Sequence, residues 1–540
     1  MKKRILIMLA CLLVVTTSFV PTIQANGNAV GASKFIDKGT DDKFQSEVSN
    51  DEDPNDEVPP SYDQPELPIE DTVNKIHYFD EQGGLTYTEV FSSNNLIKIM
   101  EYLPGTTIEN VDNSVKFIYN INSQGYIEDA TELNSNQEVI KKYEYYPSTT
   151  YGTHEQYIQY VFNIEDEYIT GAMKLEAQSQ RVLSRYEYYP NTKYGAHGNH
   201  IKFTFIPSPS GHVVNAYKKE NETKRIITRY EYYPNTEYGS HGSNIKFTFN
   251  ISPDGYVESA YKKENKTRKI VTRYEYYPNT VYGTHGNHIK FTFNINSSGN
   301  VINAHKKENE TKKIVSRYEY YPGTIYGSHG KYIKFMFNLN SDSYINNAYK
   351  RETKTQRLLA SYTYVLNTKY GQHGSKITGI TLNVPIISQL PELPTGCEIT
   401  AVTMMLQYLG LDVDKITLAN EKPKHPWNPN LGYVGDPYKK NGWTIYPTAL
   451  MGLVQKYAGS ATNLTNVSNS NLERQLLSNK PVVIWGSPIH GFKVHALVLT
   501  GFDNAYYYYN DCWTGEKNVR ITKQEFNKLW SSQDRRALTN

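Results

Sequence analysis

The fold is decided by a stretch at positions 273–308, which reads RYEYYPNTVYGTHGNHIKFTFNINSSGNVINAHKKE. Its opening phrase, Arg-Tyr-Glu-Tyr-Tyr-Pro, begins at four positions that are 44 residues apart: Arg185, Arg229, Arg273 and Arg317. A fixed period of that length is the sequence signature of a stacked repeat array. Degraded copies flank these four, so we predict seven units over 74–380, with atypical units at both ends.

Each unit is predicted to fold as three β-strands. In the quoted stretch Ile289, Phe291 and Phe293 alternate with polar residues, which is the period of a half-buried strand. The Ser-Gly-Asn turn at 298–300 leads into a further strand. Tyrosine is abundant, with 47 residues in a chain of 540, and aromatic enrichment favours strands. We therefore expect 74–380 to be all β, and the array resembles, as a class, the short β-repeats of Gram-positive surface proteins.

A histidine recurs once per unit, in the loop that follows the tyrosine-rich phrase. These histidines are His154, His197, His241, His285, His329 and His373. One histidine per loop, without a cysteine or aspartate beside it, makes a poor metal site, so we expect a structural or surface-binding role and no metal. The recurring tyrosines could stack on sugar rings or form the cores of thin β-units.

Paired lysines recur at the edges of the repeats. The pairs are Lys218-Lys219, Lys262-Lys263 and Lys306-Lys307. Positive charge at a regular spacing suits a polyanion such as teichoic acid, and weak contacts at fixed spacing gain strength through multivalency. The repeats are therefore expected to bind a cell-wall polymer, and the alternative is a stalk that only holds the next domain away from the surface.

The first 73 residues predict export. A basic start (MKKR) precedes an apolar run from Ile5 to Val20, which is typical of a signal peptide, here 1–25. Segment 26–73 is acidic, rich in proline and without an apolar period, so we expect a disordered spacer. The mature chain should be secreted, extracellular or cell-wall associated, without a transmembrane segment. The formal net charge is only +2, and basic residues are too dilute to predict a nucleic-acid partner.

After residue 380 the pattern changes to mixed helices and strands. Only two cysteines, Cys397 and Cys512, lie outside the predicted signal peptide. Cys397 begins an apolar helical pattern, with Thr395 as a candidate N-cap. The free amides and the dipole at a helix start favour a thiolate and lower the pKa of a thiol. Cys397 is therefore the predicted nucleophile of an acyl-transfer reaction.

A base and its partners are found further along the chain. His495 opens an apolar run that is predicted as a buried strand, and a second strand over 506–510 ends at Asp511. If these strands pair, Asp511 lies beside the imidazole and fixes its tautomer. Gln389, eight residues before the cysteine, can donate its amide to a developing oxyanion. His490 is the rival base, but no apolar strand follows it, so His495 is preferred.

Three groups of residues carry a resemblance to a known family. They read VPIISQ (384–389) with LPTGCE (393–398), LGYVGDP (431–437) with IYP (445–447), and HALVLTGFD (495–503). These segments resemble the bacteriocin-processing (double-glycine) peptidase-like family of papain-fold cysteine peptidases in clan CA. The resemblance covers nearly all of 381–540 and implies Gln389 as the oxyanion residue and Cys397 as the nucleophile. It implies His495 as the base and Asp511 as the residue that orients it.

The chain departs from that family directly after Asp511. The family usually has proline there, whereas this chain has Cys512. We expect Cys512 to pack beside the site. The alternative is a disulfide with Cys397, which would silence the enzyme.

The predicted fold class is multidomain, an all-β tandem repeat array followed by an α+β papain-like cysteine peptidase domain of C39-like type. We expect an exported thiol hydrolase that cleaves peptide or amide bonds without a cofactor and is held at the cell envelope by its repeats. True double-glycine leader peptidases are parts of export transporters, so that substrate is not carried over. The alternatives are an amidase or transferase that uses the same thioester, and a catalytically silent adhesin.

Overall fold

The computed structural model describes residues Phe35–Lys38 and 73–540. The chain divides into two compact units, Met1–Gly198 and Asn199–Asn540. In the described part of the chain, no helix combines the length and the apolar character that crossing a membrane requires.

The predicted signal peptide, 1–25, lies outside the described residues, as does most of the predicted spacer, 26–73. Within that spacer the structure has one strand, Phe35–Lys38, which pairs antiparallel with Val73–Phe79. These four residues therefore differ from the disorder that composition predicts, because a facing strand satisfies their backbone hydrogen bonds.

The first unit is a succession of antiparallel strands. They are β1 Phe35–Lys38, β2 Val73–Phe79, β3 Leu85–Ser92, β4 Asn95–Tyr102, β5 Val115–Ile121, β6 Ile127–Leu133, β7 Val139–Tyr145, β8 Ile158–Glu165, β9 Tyr168–Leu175 and β10 Val182–Tyr188. Each strand pairs with the next strand in the chain. Such a meander needs only short turns between its strands.

The second unit begins with a meander of the same kind. Its strands are β11 Ile201–Pro207, β12 Val213–Lys219, β13 Ile226–Tyr232, β14 Ile245–Ile251, β15 Val257–Lys263, β16 Ile270–Tyr276, β17 Ile289–Ile295, β18 Val301–Lys307, β19 Ile314–Tyr320, β20 Ile333–Leu339, β21 Ile345–Arg351, β22 Leu358–Tyr364 and β23 Ile377–Leu382. Consecutive strands again pair antiparallel. The predicted all-β tandem repeat array is confirmed, and the structure shows that its strands are antiparallel.

Each full repeat contains three strands and one short 3-10 helix. The 3-10 helices are Ile108–Asn113, Tyr151–Gln156, Tyr194–Asn199, Tyr238–Ser243, Tyr282–Asn287, Tyr326–Lys331 and Tyr370–Ser375. The three strands per unit agree with the sequence prediction. The predicted loop after the tyrosine-rich phrase contains this helix, which is closed by hydrogen bonds between residues three apart, such as Thr284 N–H to the carbonyl of Val281.

The core of a repeat is aromatic, and its histidine belongs to that core. Phe293 is buried, and its ring centroid lies 5.2 Å from that of Tyr326 and 4.6 Å from that of His329. Nδ1 of His329 donates to the carbonyl of Tyr326 at 2.6 Å. The histidine therefore packs against a tyrosine of its own repeat and a phenylalanine of the preceding one, which is the structural one of the two roles expected from the sequence.

The Arg and Glu of the repeated phrase both contact the tyrosine that begins the 3-10 helix of the next repeat. Tyr326 donates its hydroxyl to Glu275 at 2.8 Å, and the guanidinium of Arg273 lies 4.7 Å from the centre of the same ring. Arg317 lies in the same way over Tyr370, at 4.8 Å. The same contacts between neighbouring repeats therefore recur with the period of 44 residues.

The region after the repeats contains five helices and a further set of strands. The helices are α1 Cys397–Tyr408, α2 Lys415–Glu421, α3 Pro447–Ala458, α4 Asn469–Leu477 and α5 Lys523–Ser531. The strands are β24 Thr462–Asn463, β25 Val482–Gly486, β26 His495–Phe502, β27 Tyr506–Asp511, β28 Glu516–Thr522 and β29 Ala537–Thr539. Strands β25 to β28 pair antiparallel in chain order, and α1, buried at eleven of its twelve residues, packs against β26.

The last repeat strand also belongs to the sheet of this C-terminal region. Strand β23 pairs antiparallel with β26, with Ile380 opposite Phe502 and Thr381 opposite Gly501. The two backbones are so close at this point that a Cβ on Gly501 would lie 2.2 Å from the carbonyl oxygen of Ile380. The predicted boundary between residues 380 and 381 therefore falls inside a strand that both parts share.

Candidate active site

Helix α1 begins at Cys397, so the thiol is carried by the first turn of a helix, as the sequence predicts. The N-cap is Gly396, where a Cβ would lie 2.8 Å from the side chain of Leu393. The prediction of Thr395 as the N-cap is wrong. Its hydroxyl instead donates to the carbonyl of Lys439 at 2.8 Å and thereby fixes a loop beside the helix start.

The Cys397 thiol is buried, with 6% of the residue exposed, and its Sγ accepts a hydrogen bond from Ala496 N–H at 3.4 Å. Burial raises the pKa of the Cys397 thiol well above its ordinary value, and the neighbouring Glu398 raises the pKa further. This is the opposite of the lowered pKa predicted from the helix start. Loss of hydration outweighs the helix dipole because the thiol faces a packed strand rather than water.

His495 and Asp511 meet as predicted from their strands. Strands β26 and β27 are adjacent, and Nε2 of His495 donates to Oδ1 of Asp511 at 2.9 Å. Both side chains are buried. Since the carboxylate holds the proton on Nε2, Nδ1 of His495 is left as the nitrogen for proton exchange with a reactant.

Asp511 also forms a hydrogen bond with a second histidine. Nε2 of His490 lies 2.6 Å from Oδ2 of Asp511, and Trp513 N–H donates to Oδ1 at 2.9 Å. Burial alone would raise the pKa of Asp511, but the hydrogen bonds and charge of His495, with the hydrogen bond of His490, hold this pKa at about 2. His490, weighed above only as a rival base, therefore shares the carboxylate with His495.

Gln389 lies beside the cysteine, but its amide is already hydrogen-bonded. Nε2 donates to the carbonyls of Leu393 at 3.2 Å and Pro394 at 3.1 Å. Its Oε1 accepts from the thiol of Cys512 at 3.2 Å. An oxyanion role for Gln389 therefore requires that one of these amide hydrogens leave a backbone carbonyl for the substrate.

Cys512 packs next to the site, as expected, and both cysteines are free and buried in the structure. Its sulfur, a nitrogen of His495 and an oxygen of Asp511 lie within 4.8 Å of one another, a spacing that a metal ion could use. The nitrogen and oxygen are already hydrogen-bonded to each other, and the thiol donates to Gln389. This arrangement suits a proton-transfer group better than a metal centre.

A small cleft of about 180 Å³ is lined by three of the four predicted site residues. Its walls include Gln389, Cys397, Trp443, Phe492 and His495. Trp443 is half exposed, so the cleft presents an aromatic wall next to the thiol and the imidazole. Asp511 is not part of the wall and lies behind His495, which is the position of an orienting residue.

Glu398 is a site residue that sequence reasoning missed. Its side chain is fully buried directly after the cysteine, one oxygen accepts from the hydroxyl of Thr444, and Oε2 has no hydrogen-bond partner in the described part of the chain. Burial raises the pKa of Glu398 to about 7. The only sequence signal was a charged residue in the apolar helix, and that signal does not reveal burial.

Comparisons with known proteins bear on the family of the C-terminal region. The profile of the Peptidase_C39 like family matches residues 381–538. YvpB of Bacillus subtilis (strain 168), an uncharacterised protein, is 31% identical over an alignment that covers 29% of this chain and 74% of YvpB.

Two solved structures are also similar in the same share of the chain. A C39-like peptidase from Bacillus anthracis, known from a crystal structure, is 33% identical in sequence to this chain. The alignment covers 29% of this chain and 94% of the Bacillus anthracis chain, with a TM-score of 0.28. A double glycine motif protease from an AMS/PCAT transporter, solved with its leader peptide, is 19% identical, covers 29% and 91%, and has a TM-score of 0.18. The family profile matches the C-terminal region, and the alignment with YvpB covers 74% of that relative at 31% identity. The chain therefore belongs to the Peptidase_C39 like family through its C-terminal region.

Proposed function

We propose that the chain is a papain-like cysteine peptidase in which Cys397 attacks a peptide or amide carbonyl and His495 serves as the base. The observation that carries this proposal is the buried hydrogen bond from His495 to Asp511, directly behind the cleft that contains the thiol. Membership of a peptidase family supports the reaction class. In the reaction as proposed, Cys397, His495 and Asp511 supply the chemistry.

The elevated pKa of Cys397 determines how the reaction begins. The resting thiol is neutral, so its proton must pass to Nδ1 of His495 as sulfur attacks the substrate carbon. Asp511 then stabilises the resulting imidazolium and keeps it in place. The backbone N–H of Cys397, in the first turn of α1, has no partner within the helix and can donate to the oxyanion.

The leaving amine takes its proton from His495, and a thioester joins the substrate acyl group to Cys397. Water that is deprotonated by His495 then attacks the thioester and releases the acid. An amine in place of water would give the transferase expected as an alternative, on the same residues.

Export and attachment to the envelope form the second part of the proposal. The sequence of residues 1–25 supports export, and the paired lysines and tyrosines of the repeats support attachment to a cell-wall polymer. The pairing of β23 with β26 suits this arrangement, because it joins the last repeat directly to the sheet of the C-terminal region. We propose a secreted, wall-associated hydrolase.

The test uses the full chain and an epoxide attached to a short peptide, which alkylates active-site thiols. We expect mass spectrometry to find the label on Cys397 and not on Cys512, because only Cys397 lines the cleft. Labelling should fall at least tenfold in His495→Ala, which removes the proton acceptor. Equal labelling of both cysteines, or labelling only after unfolding, would contradict the proposal.

A further inference from the structure

An open groove in the first unit has no role in the peptidase chemistry. It has a volume of about 820 Å³, within the range of ligand sites, whereas the cavity beside Arg317 and Tyr370 has about 300 Å³. Its walls include Tyr87, Tyr151, Phe117, Tyr143, Glu101 and Lys116. All four of these rings are partly exposed.

The groove exists because the first repeat departs from the later repeats in two places. Tyr87 on β3 lies opposite Glu101, the glutamate of the repeated phrase. The residues opposite the equivalent glutamate in later repeats are short and polar: Asp129, Asn215, Ser259 and Asn303. A large ring therefore lies where the other repeats have a small side chain, with one face stacked on Tyr78 at a centroid distance of 4.2 Å and the other face toward the groove.

The second departure concerns the cation over the tyrosine of the 3-10 helix. In later repeats that ring is covered by a positive group within 5 Å, as Lys142 covers Tyr194 at 4.8 Å and Arg229 covers Tyr282 at 4.7 Å. For Tyr151 the equivalent position is Ile99, two residues before Glu101. Tyr151 keeps its hydrogen bond to that glutamate, at 2.5 Å, but among the described residues no cation lies over its ring.

The exposed rings form two tilted pairs in the walls. The centroids of Tyr87 and Tyr151 are 6.2 Å apart, and those of Phe117 and Tyr143 are 6.1 Å apart. Glu101 and Lys116 line the same groove, and among the described residues Oε2 of Glu101 accepts no hydrogen bond, since Tyr151 donates to Oε1. Aromatic faces with a few hydrogen-bonding groups match a sugar, which has an apolar face and a rim of hydroxyls.

We propose that this groove binds an uncharged glycan strand, with Tyr87 and Tyr151 stacked on its sugar rings. Glu101 and Lys116 accept and donate hydrogen bonds at the sugar hydroxyls. Glu101 and Glu155 outnumber Lys116 in the wall, so its formal charge is −1 and the groove does not suit the polyanion expected for the paired lysines. The inference deepens the proposed envelope attachment, on which it rests, by giving it a defined site and ligand class.

Calorimetric titration of the full chain with chitotetraose and cellotetraose tests the groove, with poly(glycerol phosphate) as the charged comparison. We expect at least one tetrasaccharide to bind with an affinity that changes little with salt. Tyr87→Asn should weaken binding about tenfold, because it removes one stacking face. This variant should fold, since later repeats already have Asn at that position, and circular dichroism will verify it. Asn303→Ala, at the equivalent position of a later repeat, is the matched control and should leave binding unchanged.

The proposal is overturned if neither tetrasaccharide binds, if Tyr87→Asn binds as well as the parent, or if only poly(glycerol phosphate) binds. Sedimentation with purified walls tests attachment separately from the groove. A chain that sediments with walls while both tetrasaccharides fail to bind would leave attachment intact and reject the groove. A chain that binds a tetrasaccharide but stays in solution would support the groove and reject attachment to those walls.

Discussion

Replacing Asp511 with asparagine should destabilise the C-terminal region by about 2 kcal/mol at neutral pH. The pKa of Asp511 falls from its ordinary 3.8 to about 2 in the folded chain, where His495 and His490 bind the carboxylate. Each unit of pKa corresponds to about 1.4 kcal/mol, so a lowering of about two units gives a figure of this size.

The sign of the effect follows from the lowered pKa. The folded state holds the proton less tightly than the unfolded state, so the stabilisation is complete above pH 3.8 and is lost as the pH falls through 2. The difference between parent and Asp511→Asn should therefore be the same at pH 7 and pH 5 and about half as large at pH 3. Asparagine carries no charge, so its own contribution stays constant with pH.

Tryptophan fluorescence during urea unfolding is a suitable assay, because all five tryptophans lie after residue 426 and report on the C-terminal region alone. With a urea dependence of about 2 kcal/mol per molar, the midpoint should fall by roughly 1 M. Asp412→Asn, which removes an exposed carboxylate, is the control and should leave the midpoint unchanged. Equal midpoints for both variants, or a difference that grows at low pH, would refute the reasoning.

Three further predictions concern other parts of the chain. Gly501→Ala should cost roughly 1–3 kcal/mol in the same urea assay, because its Cβ would meet the carbonyl of the facing strand, whereas Gly452→Ala, with open space in a helix, should be neutral or stabilising. Glu398→Gln should speed the alkylation of Cys397 by iodoacetamide about tenfold above pH 7, because the carboxylate is charged there and raises the pKa of the thiol. At pH 5 the carboxyl is protonated, so the substitution should have no effect on the rate. Equal rates for parent and variant at all pH values would contradict this prediction. Tyr326→Phe should lower the stability of the repeats by about 1 kcal/mol, measured by circular dichroism, because it leaves the glutamate of an earlier repeat without its hydroxyl partner, and an unchanged melting curve would show that this hydrogen bond is dispensable.

The array was predictable because its contacts are local in sequence. Alternation at Ile289, Phe291 and Phe293 defines one strand, and the strands of a meander pair with their neighbours in the chain. The positions of Cys397 and His495 were predictable for a similar reason, since a helix start and a strand start are visible in the pattern of apolar residues. Their membership of one cleft followed from the resemblance to a peptidase family.

Other properties depended on residues far apart in the chain. The sequence suggested a lowered pKa for Cys397, but packing against β26 and the buried charge of Glu398 raise it instead. His490 was set aside because no strand follows it, yet a turn brings it to the same carboxylate as His495. Neither outcome can be deduced from the pattern of apolar and polar residues along one segment.

The sequence by itself determined the 44-residue period, the strand content of the repeats and the places of Cys397 and His495 at the starts of a helix and a strand. The tertiary structure alone decided the protonation of the thiol, the sharing of Asp511 by two histidines and the groove beside Tyr87. The physical reason is that periodicity reflects hydrogen bonding and burial along one strand or helix, which neighbouring residues set. A pKa or an open groove instead depends on the water, charge and side chains that distant segments bring to one point in space.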